Sequence, residues 1–497
     1  MIQKKLKVLF VCAEVAPFSA VGGLAQVAYF LPKALKKAGV DVRVFTPKYG
    51  VINSDLLRVE NILEGLRVPT GEEVNSSKPQ EIVCNVKVLR SVKKEDPTIY
   101  FLENREYYEQ RANVYNYSDD HIRFGLLSRG AIEFIRQGDF VPDIIHVNDW
   151  HTGYLPNYLQ TDYKDDEKLH GIATVFSIHN LHQGVFDFDH ASEMDYDDGT
   201  GPLAPFFSER FLKQNSLKRG IMHSNLINTV SQTYSRELLT EEYAPKLYKL
   251  FRELRGKFYG VLNGLDYQSF DPKRDKVIKS NYSANNLASR QENKVDLQKE
   301  FGLEVSQNTP LLAIVGRLDG QKGLDLVIET IDFIIKECNV QLIVCGPGEN
   351  KYRDFFSNLE KHHPGTVGTH LMFDVTLPRR IFSGADMILM PSKYEPGGIV
   401  ALEALRYGCV PVVRATGGLA DSIVDYDPTF STGTGFSFKN YSAMSFLATV
   451  VRALETYKNK PVWNKITKRA MEQDFSWDKS AKKYIDLYKR SQLTCIG

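Results

Sequence analysis

The chain has 497 residues, enough for two or more domains that each bury a core. Lys and Arg number 62 against 61 Asp and Glu, so a formal charge of +1 gives no reason to expect capture of nucleic acid or of an anionic membrane. A composition that is 43% apolar and 25% charged is that of an ordinary globular protein, and six cysteines without a C-x-x-C spacing argue against a disulfide framework or a zinc site.

The N-terminal "KVLFVCAE" is too short an apolar run for a signal peptide and meets Glu14 with no small-residue cleavage site, so it predicts a first core strand. No run approaches the roughly 18 apolar residues of a membrane span, and the expected compartment is the cytoplasm. A glycine pair follows in "FSAVGGLAQV", before the helical pattern "YFLPKALKKAG". Further short apolar runs come next: "DVRVFTP", "TIYFLE", "DIIHVN", "ATVFSIH" and "LINTV". A second set reads "LLAIVGR", "QLIVCG", "HLMF", "MILMPS" and "VPVVRA". Continuous apolar runs are strands covered on both faces, and their alternation with helical patterns predicts β-α-β units with parallel sheets. Two α/β domains of Rossmann-like, doubly wound type are expected. The first spans 1–263 and the second 264–474, with the boundary near Asn263–Asp271 and the polar Lys279–Lys294 stretch early in the second. Residues 475–497 predict a helix that packs back on the first domain.

"VGGLAQV" and "TGGLADS" echo each other, one in each half. Glycine is common at strand-to-helix turns for conformational reasons alone. Two such turns in two Rossmann-like halves suggest a ligand held at the carboxyl ends of both sheets.

Chemistry-bearing residues gather at predicted strand ends. In "VGRLDGQKG", Arg317 and Lys322 lie five residues apart in a glycine-containing loop, as two cations converging on a diphosphate require. In "SKYEPGGIVALEALRYG", Glu395 precedes Gly397 and Gly398, which open a helix that carries Glu403; amides at such a start suit a phosphate or a sugar hydroxyl. "HVNDWHTG" places Asp149, Trp150 and His151 past one strand, and "SIHNLHQGVF" places His179 and Asn180 past another. His146, Asp149 and His151 could be read as a metal site, but no further ligand cluster accompanies them. The carboxylates of "DYDDG", Asp195–Gly199, read as a solvated loop.

Taken together, these segments resemble the starch and glycogen synthases, retaining glycosyltransferases whose two Rossmann-like domains face each other across a cleft in the GT-B fold. The resemblance runs through "CAEVAPF", "GGLA", "HVNDWHTG", "NTVSQTYSREL", "GVLNGLDY", "VGRLDGQKGLDL", "SGADMILMPSKYEPGG", "PVVRATGGLAD" and "DFSWDKSAKKYIDLY". It implies transfer of glucose from ADP-glucose or UDP-glucose to the non-reducing end of an α-1,4-glucan, with retention and without a metal or other cofactor. By position, Arg317 and Lys322 would hold the diphosphate, and Gly22, Gly23, Thr416, Gly417 and Gly418 would line the phosphate and sugar cleft. Glu395 would hold the glucose hydroxyls. His179 and Asp149 would orient the sugar, with Glu14 and Asn263 near the acceptor. Phe373 would stack on the base. Domain closure would exclude water and limit donor hydrolysis.

The chain departs from the family pattern in three places. Ala20 and Gln26 replace the lysine and aspartate that usually flank the first glycine turn, "PGGIV" replaces Pro-Cys-Gly-Leu, and Glu403 completes a Glu-x7-Glu spacing typical of a broader group of retaining transferases. Other readings are a related transferase with another sugar nucleotide or a small acceptor, a catalytically weakened glucan-binding protein, and a dinucleotide oxidoreductase. The last would want G-x-G-x-x-G after a strand, which neither glycine turn provides.

Overall fold

The computed structural model describes residues 5–52, 59–91, 93, 95–181 and 198–495. The chain divides into two compact units. The first comprises the residues up to Val230, Ser235–Asn263 and the chain from Trp477 onward; the second comprises Ser231–Tyr234 and Gly264–Ser476.

The first unit is built on β1 (Lys7–Val11), β2 (Asp41–Pro47), β3 (Glu60–Pro69), β4 (Glu81–Leu89), β5 (Thr98–Glu103), β6 (Ile144–Asn148), β7 (Ala173–Ile178), β8 (Leu226–Thr229) and β9 (Phe258–Gly260). They form one sheet in the order β3-β4-β5-β2-β1-β6-β7-β8-β9. Lys7 of β1 pairs in parallel with Asp41 of β2, and Val8 with Ile144 of β6. Every residue of β6 and β7 is buried, which is why the sequence reads as continuous apolar runs there.

One edge differs from the all-parallel expectation. β3 and β4 pair antiparallel, and β4 pairs antiparallel with β5. β4 buries alternate residues, Ile82, Cys84, Val86 and Val88, and turns the others toward solvent or partial cover. A half-covered strand has period-two patterning, so a search for continuous runs passes over it.

The second unit holds β10 (Leu311–Val315), β11 (Gln341–Cys345), β12 (Val367–His370), β13 (Met387–Met390), β14 (Val410–Arg414) and β15 (Phe436–Phe438). Its sheet is parallel throughout, in the order β12-β11-β10-β13-β14-β15. Leu312, Val344, Leu389 and Val412 belong to one apolar cluster, and Ala313, Ile343, Ile388 and Val413 to the other. Adjacent residues thus enter opposite cores, as a strand with two covered faces demands. The run "HLMF" is not a strand: β12 is the preceding "VGTH", and Met372 and Phe373 are exposed. The helix Arg290–Glu300 begins inside the polar Lys279–Lys294 stretch.

The terminal helix, Trp477–Cys495, packs on β7 and on the helix Gly23–Lys37 of the first unit. The chain crosses into the first unit after Ser476, two residues beyond the boundary read from sequence. A buried polar chain fastens this helix. Ser177 Oγ donates to Asn228 Oδ1 (2.6 Å), so His146 Nε2 donates to Ser177 Oγ (2.6 Å) and Nδ1 accepts from the Tyr488 hydroxyl (2.7 Å). Asn228 Nδ2 donates to the Tyr484 hydroxyl (3.2 Å). Burial keeps His146 neutral, well below the usual histidine range. Among the described residues no helix is long and apolar enough to cross a membrane.

Candidate functional site

In the first unit the candidate residues collect at the carboxyl ends of β1, β6 and β7. Glu14 follows β1 and is buried. Its Oε2 accepts from Val21 N (2.6 Å) and Gly22 N (3.3 Å), which ties the glycine turn to the strand end. Burial pushes this carboxyl up, and bonds from Val21, Gly22, Tyr115 and Ala25 offset part of that shift. Gly22 and Gly23 are exposed, and Gly23 opens the Gly23–Lys37 helix. Gly22 is extended (φ −143°), and a Cβ there would sit an ordinary 3.6 Å from Glu14 Oε1. Neither strain nor crowding requires glycine at 22; what the residue leaves is open backbone. Ala20 beside it is exposed, and Gln26 is half-buried.

Asp149 has a positive φ of 54°, a rare conformation for a residue with a side chain. That turn aims its carboxylate at the end of β7, where it accepts from His179 N (2.7 Å) and from the backbone of Asn180. Burial raises its pKa from 3.8 to about 7, against those two amides. Asn148 Nδ2 donates to Val11 O (3.0 Å), so its Oδ1 faces His179 Nε2 (2.9 Å), which carries the ring proton. Burial lowers His179 to about 3 and holds the imidazole neutral, with Nδ1 as its acceptor. Asn263 is buried after β9, and its Oδ1 has no hydrogen-bond partner among the described residues. No bond joins it to Glu14, Asp149 or His179 among those residues.

His146 is committed to Tyr488 and Ser177, and no group of three or more metal-ligating side chains occurs among the described residues. His182–Phe186 of "HQGVF" and Asp195–Asp197 of "DYDDG" lie outside the described residues. Sequence reasoning missed Asn148 and Tyr115. Asn148 sits in a motif already singled out, where a polar residue at a strand end was the available signal. Tyr115 lies in a polar loop with no pattern to mark it.

In the second unit the residues collect at the carboxyl ends of β10, β13 and β14. Arg317 is exposed and pairs with Asp319 (3.4 Å). Lys322 ends a short 3-10 turn, and its Nζ donates to Glu395 Oε2 (2.7 Å). Ser392 Oγ donates to the same oxygen (3.2 Å), and Glu395 is 8% exposed. Lys393 N donates to Gln321 O (2.8 Å), and Gln321 Nε2 to Tyr394 O (3.2 Å), so the two loops are laced together.

Glycine at 417 and 418 is demanded by approach. A Cβ on Gly417, whose φ is +46°, would fall 2.1 Å from Glu395 O; one on Gly418 would fall 2.3 Å from Gly397 O. Gly418 N donates to Glu395 O (2.8 Å) and Pro396 O (3.1 Å). The "TGGLADS" turn is therefore the bed on which Glu395–Gly398 lies, and Thr416 at its start is fully buried. Gly398, at φ +62°, caps the helix Ile399–Arg406. Glu403 lies on that helix, raised from 4.5 to about 8 by burial against the opposing Arg379. Among the described residues it makes no hydrogen bond to Glu395 or Lys322. Phe373 follows β12 and is 75% exposed. Asp421, the counterpart of Gln26 in the echo, accepts from Thr233 N (3.0 Å) and Thr233 Oγ1 (2.6 Å).

Comparison with known proteins agrees with both halves. A family described as starch synthase catalytic domain matches residues 7–253, and one described as glycosyl transferases group 1 matches residues 297–471. The glycogen synthase of Thermotoga petrophila is 41% identical over 492 residues, which cover 98% of this chain and 99% of that one. The glycogen synthase of Clostridium kluyveri is 39% identical over 97% of this chain and 99% of its own. Among solved structures, the catalytic domain of starch synthase IV from Arabidopsis thaliana, bound to ADP and acarbose, superposes with a TM-score of 0.83. It is 28% identical and covers 98% of this chain and 100% of its own. Sucrose-phosphate synthase from Thermosynechococcus elongatus, at 15% identity and a TM-score of 0.58 over 99% of this chain and 100% of its own, shares the fold. With relatives this similar along nearly its whole length, and two parallel-sheet α/β units, the chain belongs to the starch and glycogen synthase family of retaining GT-B glycosyltransferases.

Proposed function

We propose that this chain transfers glucose from ADP-glucose to the non-reducing end of an α-1,4-glucan. The observation that carries the reading is the Lys322–Glu395 contact, a cation and a buried carboxylate held together at adjacent strand ends (2.7 Å). A sugar diphosphate needs both charges: cations for its phosphate oxygens and a carboxylate for the sugar hydroxyls. The preference for an adenine donor takes its support from the ADP in the Arabidopsis relative, and the glucan from the acarbose beside it.

In this reading Arg317 and Lys322 neutralise the charge that develops on the departing nucleotide, the largest electrostatic demand of the reaction. Binding swings the exposed Arg317 from Asp319 to phosphate. Glu395 holds glucose hydroxyls and sustains positive charge near the anomeric carbon. Gly22, Gly23, Gly397, Gly398, Thr416, Gly417 and Gly418 offer backbone to phosphate and sugar, and Phe373 stacks on the base. His179, neutral, and Asp149 orient the glucose, while Glu14 and Asn263 stand on the acceptor side. Glu403 supports the donor from the helix below Glu395. The proton of the attacking hydroxyl passes to the leaving phosphate on the same face, so no protein base and no metal is required.

Labelled ADP-glucose and UDP-glucose, each with and without glycogen, test the reading. Label should enter polymer from ADP-glucose, only with glycogen, and EDTA should leave the rate unchanged. Incorporation solely into a small acceptor would reject the glucan, and a preference for UDP-glucose would reject the donor.

A further inference from the structure

Beside the acceptor-side cluster lies an ion pair that the chemistry does not use. Asp120 and Arg123 open the helix Asp120–Gln137, and neither side chain is exposed at all. A buried pair is costly unless its remaining donors and acceptors are used; here Arg123 Nη2 has no hydrogen-bond partner among the described residues, and the bonds that are made converge on one segment. Arg123 Nε donates to Tyr107 O (2.7 Å), and one terminal nitrogen donates both to Val114 O (3.0 Å) and to Asp120 Oδ1. Asp120 Oδ2 accepts from Asn116 N (2.9 Å) and Tyr117 N (3.3 Å). The Tyr117 ring lies under the guanidinium at 4.9 Å.

These bonds grip the chain at 114 on one side and at 116 and 117 on the other. The residue between them is Tyr115. Its hydroxyl reaches the Glu14 carboxylate, and its ring lies 4.8 Å from that of His151. Asn116 stands at φ 75°, a left-handed turn that asparagine adopts more readily than most residues, and its amide donates to Asp120. Arg123 also stands 5.9 Å from the Tyr49 ring, whose hydroxyl donates to Ala13 O (2.7 Å), next to Glu14.

We propose that the Asp120–Arg123 pair is a positioning device for the acceptor side of the site: it fixes Val114–Tyr117 so that Tyr115 is set against Glu14 and His151. This rests on the glucan synthase reading. Arg123 touches no substrate and acts through Tyr115.

The test uses the full-length chain. Arg123→Lys keeps the charge but loses the planar fork, which reaches Tyr107 O from Nε and Val114 O and Asp120 from a separate terminal nitrogen. It should raise KM for glycogen roughly tenfold, with kcat and KM for ADP-glucose changed less than about twofold. Hydrogen exchange should quicken at 114–117 and stay the same in β6 and β7. Tyr115→Ala, at a half-buried position that tolerates change better, should give the same split, and Arg123→Lys added to it should raise KM for glycogen no further. A lower kcat with both KM values unchanged, as from a smaller folded fraction, would overturn the proposal; so would fully multiplicative effects in the double variant. If Arg123→Lys fails to fold, Tyr115→Ala with an unchanged KM for glycogen still refutes it. An unsubstituted chain that extends no glucan removes the synthase reading and this proposal together, whereas an active chain with indifferent variants removes only the proposal.

Discussion

Glu395 owes its position to three separate restraints: the Lys322 ammonium, the Ser392 hydroxyl and the backbone of Gly418 beneath its own carbonyl. Glu395→Gln keeps the shape and removes the charge. It should lower kcat by about 10²–10³ while the circular dichroism spectrum is unchanged; near-normal turnover would show that the charge plays no part. Ala20 presents the opposite case, a place where a cation is missing. Ala20→Lys adds an ammonium beside the exposed glycine turn and should lower KM for the donor, and a KM that stays or rises refutes that account. Asp149 links the site to pH. Its folded pKa, about 7, lies above its ordinary 3.8, so between those values the folded state holds a proton that the unfolded chain has released. Stability therefore falls as pH rises across that window and levels off above it. Asp149→Asn should flatten this part of the curve in urea titrations from pH 4 to 8, and an unaltered slope would place its origin elsewhere.

The two Gly-Gly-Leu-Ala turns look alike in sequence, and the structure separates them. Gly417 and Gly418 are forced by backbone packed onto the Glu395 loop; Gly22 is under no such constraint. Gly418→Ala should cost about 1–3 kcal/mol and most of the activity, whereas Gly22→Ala should leave the thermal midpoint nearly unchanged. Equal losses of stability would contradict the distinction. Other elements divide along the same physical lines. Strands covered on both faces, such as β6, β7, β10 and β11, were legible as continuous apolar runs, and the polar residues just beyond them marked Asp149, His179, Arg317 and Glu395. β3 and β4, half-covered and antiparallel, carry a different period and were missed. "HLMF" mimicked a strand because Met372 and Phe373 are apolar yet exposed. Tyr115 could not be read at all. Its place depends on Asp120 and Arg123, whose buried partnership no local pattern reveals.

At the scale of the molecule, the chain builds one unit, then a second, and returns to the first with its terminal helix. Tyr484 and Tyr488 on that helix are fully buried and complete the hydrogen bonds of Asn228 and His146. Ending the chain before Trp477 would expose the apolar face that this helix covers and remove the hydroxyl partners of Asn228 and His146. The truncated chain should be recovered only as aggregate, and a soluble, active truncation would contradict the helix's structural role. The central claim is that these two units together extend a glucan. Incorporation of radiolabelled glucose from ADP-glucose into glycogen, measured on the purified full-length chain, tests it most directly. The account predicts ethanol-precipitable label in the polymer, dependent on added glycogen and lost in Glu395→Gln; label that never enters the polymer, with either ADP-glucose or UDP-glucose, would contradict it.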